Sequence, residues 1–222
     1  MEENIKIIRS RRRTISIQIH DDASLVVRAP RQVPDEFIYD FIKKKAAWIK
    51  KNQELIKQKF LSRPQKEFTE GETFLFLGEI YRLQLSDDIS PPLHFDEGFI
   101  LSKHHADQAK KLFVKWYREQ AFQIIYMRVG HLSEKAGLSC AKIKIRENKH
   151  TWGSCSGKNN LNFNWRLIMA PPGVIDYVII HELAHLKERN HSKRFWARVK
   201  EMFPNYIYPK RWLKENSHLL SI

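Results

Sequence analysis

Cysteine is scarce in this chain of 222 residues: Cys140 and Cys155 are the only two, and no CxxC pair exists. Two such thiols are too few for a disulfide scaffold, so the expectation is reduced thiols and a cytoplasmic location. Long apolar runs are missing as well. No stretch approaches the ~20 residues a membrane-spanning helix needs, and the opening MEENIKIIRSRRR has no apolar core of the kind a secretory signal carries. The expectation is therefore a soluble, unexported protein without a membrane partner. No GxxxxGK[ST] loop occurs, which counts against a nucleotide site of that kind, and no internal repeat or low-complexity segment is evident. Acidic residues are in the minority, 25 against 39 basic ones, for a net charge of +14. That balance favours anionic partners such as nucleic acid, nucleotides or acidic proteins, with a diffusely basic, solvated surface as the plain alternative.

What is present suffices for a buried core in one large domain or two small ones. Ile15, Ile17 and Ile19 alternate with Thr14, Ser16 and Gln18, and Asp21 to Ser24 turn the chain into Leu25-Val26-Val27-Arg28. That pattern predicts a hairpin. Helical spacing of Ile38, Phe41, Ile42, Trp48, Ile49 and Ile56 predicts a basic helix from Asp35 to about Leu61, in which Trp48 and Phe60 are read as packing residues. Residues 62 to 72, with Pro64 and Gly71, read as a linker, and 73 to 85 and 94 to 101 as short strands with Asp87, Asp88, Pro91 and Pro92 in the loop between. A long helix or helix pair is predicted for 105 to 136 and strands for 141 to 146 and 161 to 167, with an irregular loop at 151 to 157. The class is α+β, divided as 1–62 (hairpin and basic helix), 63–103 (linker and small β segment) and 104–222 (the candidate catalytic region).

The chemistry concentrates in HELAHLKERNH, residues 181 to 191. Residues four apart share one face of a helix, so His181 and His185 can aim both imidazoles at one ion. Glu182 then lies beside the ion rather than on it, close enough to take a proton from its bound water. His191 is too far along to share that face, so the chain must turn back, and Asn190 tolerates the left-handed conformation for such a turn. Three protein ligands leave one open position on a tetrahedral zinc, the catalytic arrangement. The plain alternative is an amphipathic helix whose histidines only cap or hydrogen-bond. Pro171 and Pro172 mark a helix start, the apolar run from Val174 to Ile180 buries it, and Ser192 can cap a second helix that Pro204 stops.

WGSCS at 152 to 156, LNFNWRL, YVIIHELAHL and NHSKRFW together resemble the YgjP-like metal-dependent hydrolases, zincin-type proteins akin to the SprT and WLM metallopeptidases. The resemblance extends to the amino-terminal RRRTISIQI and LVVRAP segments and to the helix containing Trp48. It implies a minimal zincin-like domain, a small sheet packed on a metal-binding helix with an edge strand that can align a substrate backbone. It also implies one zinc ion held by His181, His185 and His191, with Glu182 as catalytic acid and base. Members often carry a basic residue directly before the Trp-Gly-Ser-Cys run, where this chain has Thr151. The histidine spacing equals that of metzincins, but Glu188 stands where those have glycine, so that group is not assigned.

Around the motif, Arg146, Trp152, Gly153 and Ser154 are candidates to line a substrate cleft, a purely structural loop being the alternative. His150 and Tyr206 are candidates to polarise an oxyanion. Cys155 could bind metal or act as a nucleophile, but three histidines already complete a catalytic set. The leading reading is a zinc metallohydrolase of the HExxH type, cleaving a peptide bond through Glu182. Two alternatives stand beside it: a nucleoside triphosphate (UTP) pyrophosphatase using the same metal site, and a nucleic-acid-binding module with structural zinc or a DNA-associated protease, drawing on Arg11-Arg12-Arg13 and the net charge.

Overall fold

The computed structural model describes residues 5–20, 22–61, 65–87, 89–148 and 151–222. His150, and Asp21, Pro64 and Asp88 of the predicted turns and linkers, lie outside the described residues. By compactness the chain divides into two units, Met1–Arg63 and Pro64–Ile222.

In the first unit, β1 (Ile5–Ser10), β2 (Ser16–Ile19) and β3 (Leu25–Pro30) form a sheet in the order β1-β3-β2. β2 and β3 make the hairpin expected from their alternation, while β1 adds itself parallel to β3. Leu25, Val27 and Ala29 are buried against Ile38 and Ile49 of the helices, with Ile15, Ile17 and Ile19 packed around them. The single helix expected over 35 to 61 is two: α1 (Asp35–Lys44) and α2 (Ala46–Leu61). The break is at Lys45, whose backbone leaves helical values at φ −104° and ψ 5° while its N–H satisfies the carbonyls of the last turn. Trp48 and Phe60 are not core residues as the spacing suggested; they are 49% and 55% exposed, and α2 turns Ile49 inward instead.

The second unit holds a four-stranded sheet, a three-stranded sheet and four α-helices around one apolar core. β4 (Thr73–Phe76), β5 (Glu79–Ser86), β6 (Leu93–Phe95) and β7 (Phe99–Ser102) are ordered β4-β5-β7-β6. Where the apolar pattern suggested two strands, there are two hairpins, each turning through a positive-φ pair or single residue: Leu77 and Gly78 in the first, Glu97 in the second. At Gly78 a side chain is impossible, since a Cβ would stand 2.8 Å from Pro171 Cα. The turn also donates its Leu77 and Gly78 N–H groups to the carbonyls of Ile168 and Met169, at 2.9 and 3.1 Å. It therefore fixes the chain just ahead of the helix that carries the motif.

α3 (Ala109–Lys135) buries a stripe at every fourth position, Ala109, Phe113, Tyr117, Ala121, Ile125 and Val129. Each fully buried Phe or Ile contributes about 1.5–3 kcal/mol of hydrophobic stabilisation. β8 (Lys142–Arg146), β9 (Gly153–Cys155) and β10 (Asn160–Asn164) form the second sheet in the order β8-β10-β9. The segment expected to be an irregular loop thus contains a strand, β9, which owes its form to pairing with β10 rather than to its own residue types. The strand expected to run to Leu167 stops at Asn164, whose side chain accepts the Arg166 N–H at 3.1 Å and starts a short 3-10 turn, Trp165–Met169. α4 (Pro172–Ala184) is buried on nearly all sides, and α5 (Lys193–Met202) and α6 (Ile207–Asn216) pack on it. Among the described residues no helix is long and apolar enough to cross a membrane.

Candidate metal centre

α4 ends at Ala184, and His185 occupies its C-cap with helical φ −66° and ψ −15°. One turn therefore separates His181 from His185, and their ring centroids stand 5.0 Å apart. The chain then reverses sooner than its sequence suggests. Glu188 N–H returns to the Ala184 carbonyl at 3.0 Å, and Asn190 is not among the residues with positive φ. The left-handed turn expected at Asn190 is not formed, because tight turns directly after the helix already redirect the backbone. What holds the returning loop is Arg189: its guanidinium donates to Ser156 O at 2.8 Å and Asn159 Oδ1 at 2.5 Å, beside Cys155 Sγ at 3.4 Å. Ser192 Oγ then accepts the Phe195 N–H at 3.3 Å and caps α5.

This path brings His191 back onto the helix face. Its Nε2 lies 2.9 Å from Nε2 of His181 and 3.2 Å from Nε2 of His185. His185 Nδ1 stands 2.9 Å from the Glu188 carbonyl oxygen, which can only accept, so Nδ1 carries the hydrogen and Nε2 turns a lone pair to the cluster. Phe195, fully buried, lies under all three rings at 4.8, 4.5 and 4.8 Å. Burial first, then the charges of His185, His191 and Lys210, push His181 down to about 3; burial likewise lowers His191. Imidazoles that resist protons are competent metal ligands. Nitrogens about 2.1 Å from a tetrahedral zinc stand roughly 3.4 Å apart, so the two close pairs, at 2.9 and 3.2 Å, are within about half an ångström of that geometry. The donor set fits a metal ion.

Glu182 points away from solvent, 4% exposed, and burial pushes its carboxyl up to about 8. Its Oε2 has no hydrogen-bond partner among the described residues. Gly153 makes room for it: a Cβ there would stand 2.7 Å from Glu182 Oε1. One face of β9 thus packs against the carboxyl of α4 at Gly153.

The histidines and Glu182 share an open cleft of about 440 Å³ with Thr151, Trp152, Gly153, Ser154, Cys155, Tyr177 and Leu213. Two larger surface grooves, of about 690 and 650 Å³, contain none of these groups, so chemistry rather than volume singles out the cleft. Of the sequence candidates, Trp152, Gly153 and Ser154 line it. Arg146 does not; it ends β8, on the far side of β10 from β9, where its side chain is exposed. Tyr206 stands one ring away, stacked on Trp196 at 5.5 Å and 20°. Cys155 lines the cleft beside Arg189, its thiol raised chiefly by burial. Sequence reasoning missed Arg189, although it lies inside the motif, because its partners are set by the distant β9–β10 turn. It also missed Tyr177, which lines the cleft and which burial pushes up to about 12.

Fold and cluster define an α+β protein in which three histidines are placed so that they could hold a metal ion. The YgjP-like, metallopeptidase domain family matches residues 13–216, and the chain belongs to that family, which places it among metal-dependent hydrolases. No curated protein matches it. Among solved structures it is similar to the metallopeptidase zymogen abylysin of Pyrococcus abyssi, at 23% identity over 44% of this chain and 99% of that one, with a TM-score of 0.39. It is also similar to the zymogen jannalysin of Methanocaldococcus jannaschii, at 23% identity over 40% and 91%, with a TM-score of 0.36.

Proposed function

We propose that the protein is a zinc-dependent peptidase of zincin type, in which His181, His185 and His191 hold one ion and Glu182 is the general base and acid. The observation that carries this reading is the meeting of three Nε2 atoms on one point, directly beside a buried carboxyl. A zinc ion held by His181, His185 and His191 would supply Lewis acidity for the scissile carbonyl and for an attacking water. Glu182 takes a proton from that water as its oxygen attacks the carbonyl carbon, then delivers it to the amide nitrogen as the C–N bond breaks. Burial raises the proton affinity of that carboxyl in the metal-free site, which favours its taking up a proton. β9 is an edge strand of its sheet, so its free side can pair with an extended peptide and lay it across the cleft. Trp152 and Ser154 flank that path.

Glu182→Gln tests the assignment. The variant is expected to bind one equivalent of zinc with unchanged affinity while peptide turnover falls by at least about 100-fold, the usual weight of a general base. Retained turnover in that variant removes Glu182 from the chemistry. A nucleotide panel assayed for pyrophosphate in parallel distinguishes peptide cleavage from phosphoanhydride hydrolysis.

A further inference from the structure

The chemistry above leaves the first unit unused, and charge is concentrated there. Met1–Arg63 carries 15 of the 39 basic residues against 8 of the 25 acidic ones, half of the net charge of +14 in little more than a quarter of the chain. Much of it lies on the two helices. Lys43, Lys44, Lys45, Lys50, Lys51 and Lys57 are all exposed, and among the described residues none of them enters an ion pair. Lysines left unpaired on one short stretch repel each other, and an anion laid across them relieves that repulsion. Trp48 stands in their midst. Lys44 and Lys45 come four and three residues before it and Lys51 three after; the Ile49 N–H bonds the Lys45 carbonyl at 2.9 Å, so helical spacing is kept across the break and sets cations about one turn to either side of the indole. The ring is half-exposed, and among the described residues no other ring stacks on it and no cation covers it, whereas Trp165 and Trp196 each carry a cation over the ring. Its setting is fixed: Asn52 Nδ2 donates to the Trp48 carbonyl at 2.7 Å, and Gln53 Nε2 donates to the Ala23 carbonyl at 2.9 Å, which ties α2 to the turn of the hairpin.

We propose that this surface of α1 and α2 docks a single-stranded nucleic acid, with phosphates on Lys44, Lys45 and Lys51 and a base stacked on Trp48. Cations alone would suit any polyanion; the bare indole between them narrows the choice. A duplex keeps its base faces stacked inside, whereas a single strand turns them out and offers a phosphate at every step. An acidic protein segment uses the lysines but leaves the ring idle. A lipid surface calls for a helix whose apolar residues gather on one face, and outward α2 alternates Trp48, Lys51 and Leu55 instead. The surface is independent of the peptidase reading, since it needs neither the histidines nor Glu182.

The test uses the full chain as wild type and as Trp48→Ala, Trp48→Phe and a triple variant, Lys44→Gln with Lys45→Gln and Lys51→Gln. Affinity for a short fluorescent oligo(dT) is read by anisotropy over a series of salt concentrations. Trp48→Ala is expected to bind about 10-fold more weakly with its salt dependence unchanged, the weight of one stacked base, and Trp48→Phe to stay within about 3-fold of wild type. The triple variant is expected to flatten the slope of log K against log[salt] by about 2, since each single-strand phosphate neutralised contributes about 0.7. Wild type is expected to bind oligo(dT) more tightly than a blunt duplex of the same length. All four side chains are exposed, so the variants are expected to unfold with heat as wild type does. No binding even at low salt, a duplex preferred to the single strand, a Trp48→Ala variant that binds as wild type does, or an unchanged slope in the triple variant would each overturn the proposal. So would capture of phosphatidylserine vesicles through Trp48 by a chain that ignores oligo(dT).

Discussion

Burial acts on His181 and Glu182, neighbours in the chain, in opposite directions. His181 moves from 6.5 to about 3, and Glu182 from 4.5 to about 8. Both shifts favour the neutral form and both tax the fold, but over different pH windows. Between about 3 and 6.5 the unfolded chain protonates His181 and the folded one does not, so this group makes stability rise with pH. Between 4.5 and about 8 the folded chain keeps the Glu182 proton that the unfolded one has lost, so this group makes stability fall with pH. For protein stripped of metal, the two together give a rise up to about 4.5, near cancellation from 4.5 to 6.5, and a fall from there to about 8. Urea unfolding at half-unit pH intervals in the presence of chelator reads the profile. The fall on the alkaline side is expected to vanish in Glu182→Gln, and its persistence there would show that another group causes it.

At the scale of elements, the metal helix is held by its neighbours more than by its own sequence. α4 lacks a side-chain cap, and its main polar tie is Asp176, which receives both Arg128 Nε and Nη2 of α3 at 2.5 Å. This pair is two-pronged and half out of water, whereas Lys115 and Glu119 on α3 meet at 4.0 Å with both side chains largely solvated. Asp176→Asn is therefore expected to cost about 1–2 kcal/mol in chemical denaturation, against less than about 0.5 for Glu119→Gln. Equal losses in the two variants would mean that the link from α3 to α4 is carried by packing alone. The same elements show what local pattern can and cannot reveal. The stripe of α3 and the alternation of β2 are legible because one face is buried. Leu77 and Gly78 hide a hairpin inside an apolar run, since their positive φ is a property of the turn packed on Pro171. Trp165 and Leu167 continue the alternation of β10 although Asn164 has already wound the chain into a 3-10 turn. In the site, His181, His185 and Glu182 stand out because helical spacing puts them on adjoining positions of one helix end, and His191 because it follows within the same short motif. Arg189 does not, because it takes its meaning from a partner 30 residues away, Asn159.

Among the described residues there are two apolar cores, one around Val27, Ile38 and Ile49 and one around Phe113, Trp165 and Ile179. Every side chain of the metal cradle belongs to the second unit. A ligand that binds only the folded site stabilises what must be folded to form it, by RT ln(1 + [L]/Kd), or about 4 kcal/mol at a thousandfold excess over Kd. Chelation should therefore not loosen the chain evenly. Hydrogen exchange with and without zinc is expected to show the largest change in residues 181–195 and in β9 and β10, which Arg189 joins to the returning loop. Amides of α4 nearer its start should change less, since Val174, Ile175 and Ile179 are anchored in the core whether or not the histidines hold an ion. Amides of β3, paired on both sides by β1 and β2 around a separate core, are expected to exchange alike in the two states. A uniform change across β3, α4 and the 181–195 segment would mean that the two cores unfold as one cooperative unit, and that zinc stabilises the entire chain rather than the end of one helix.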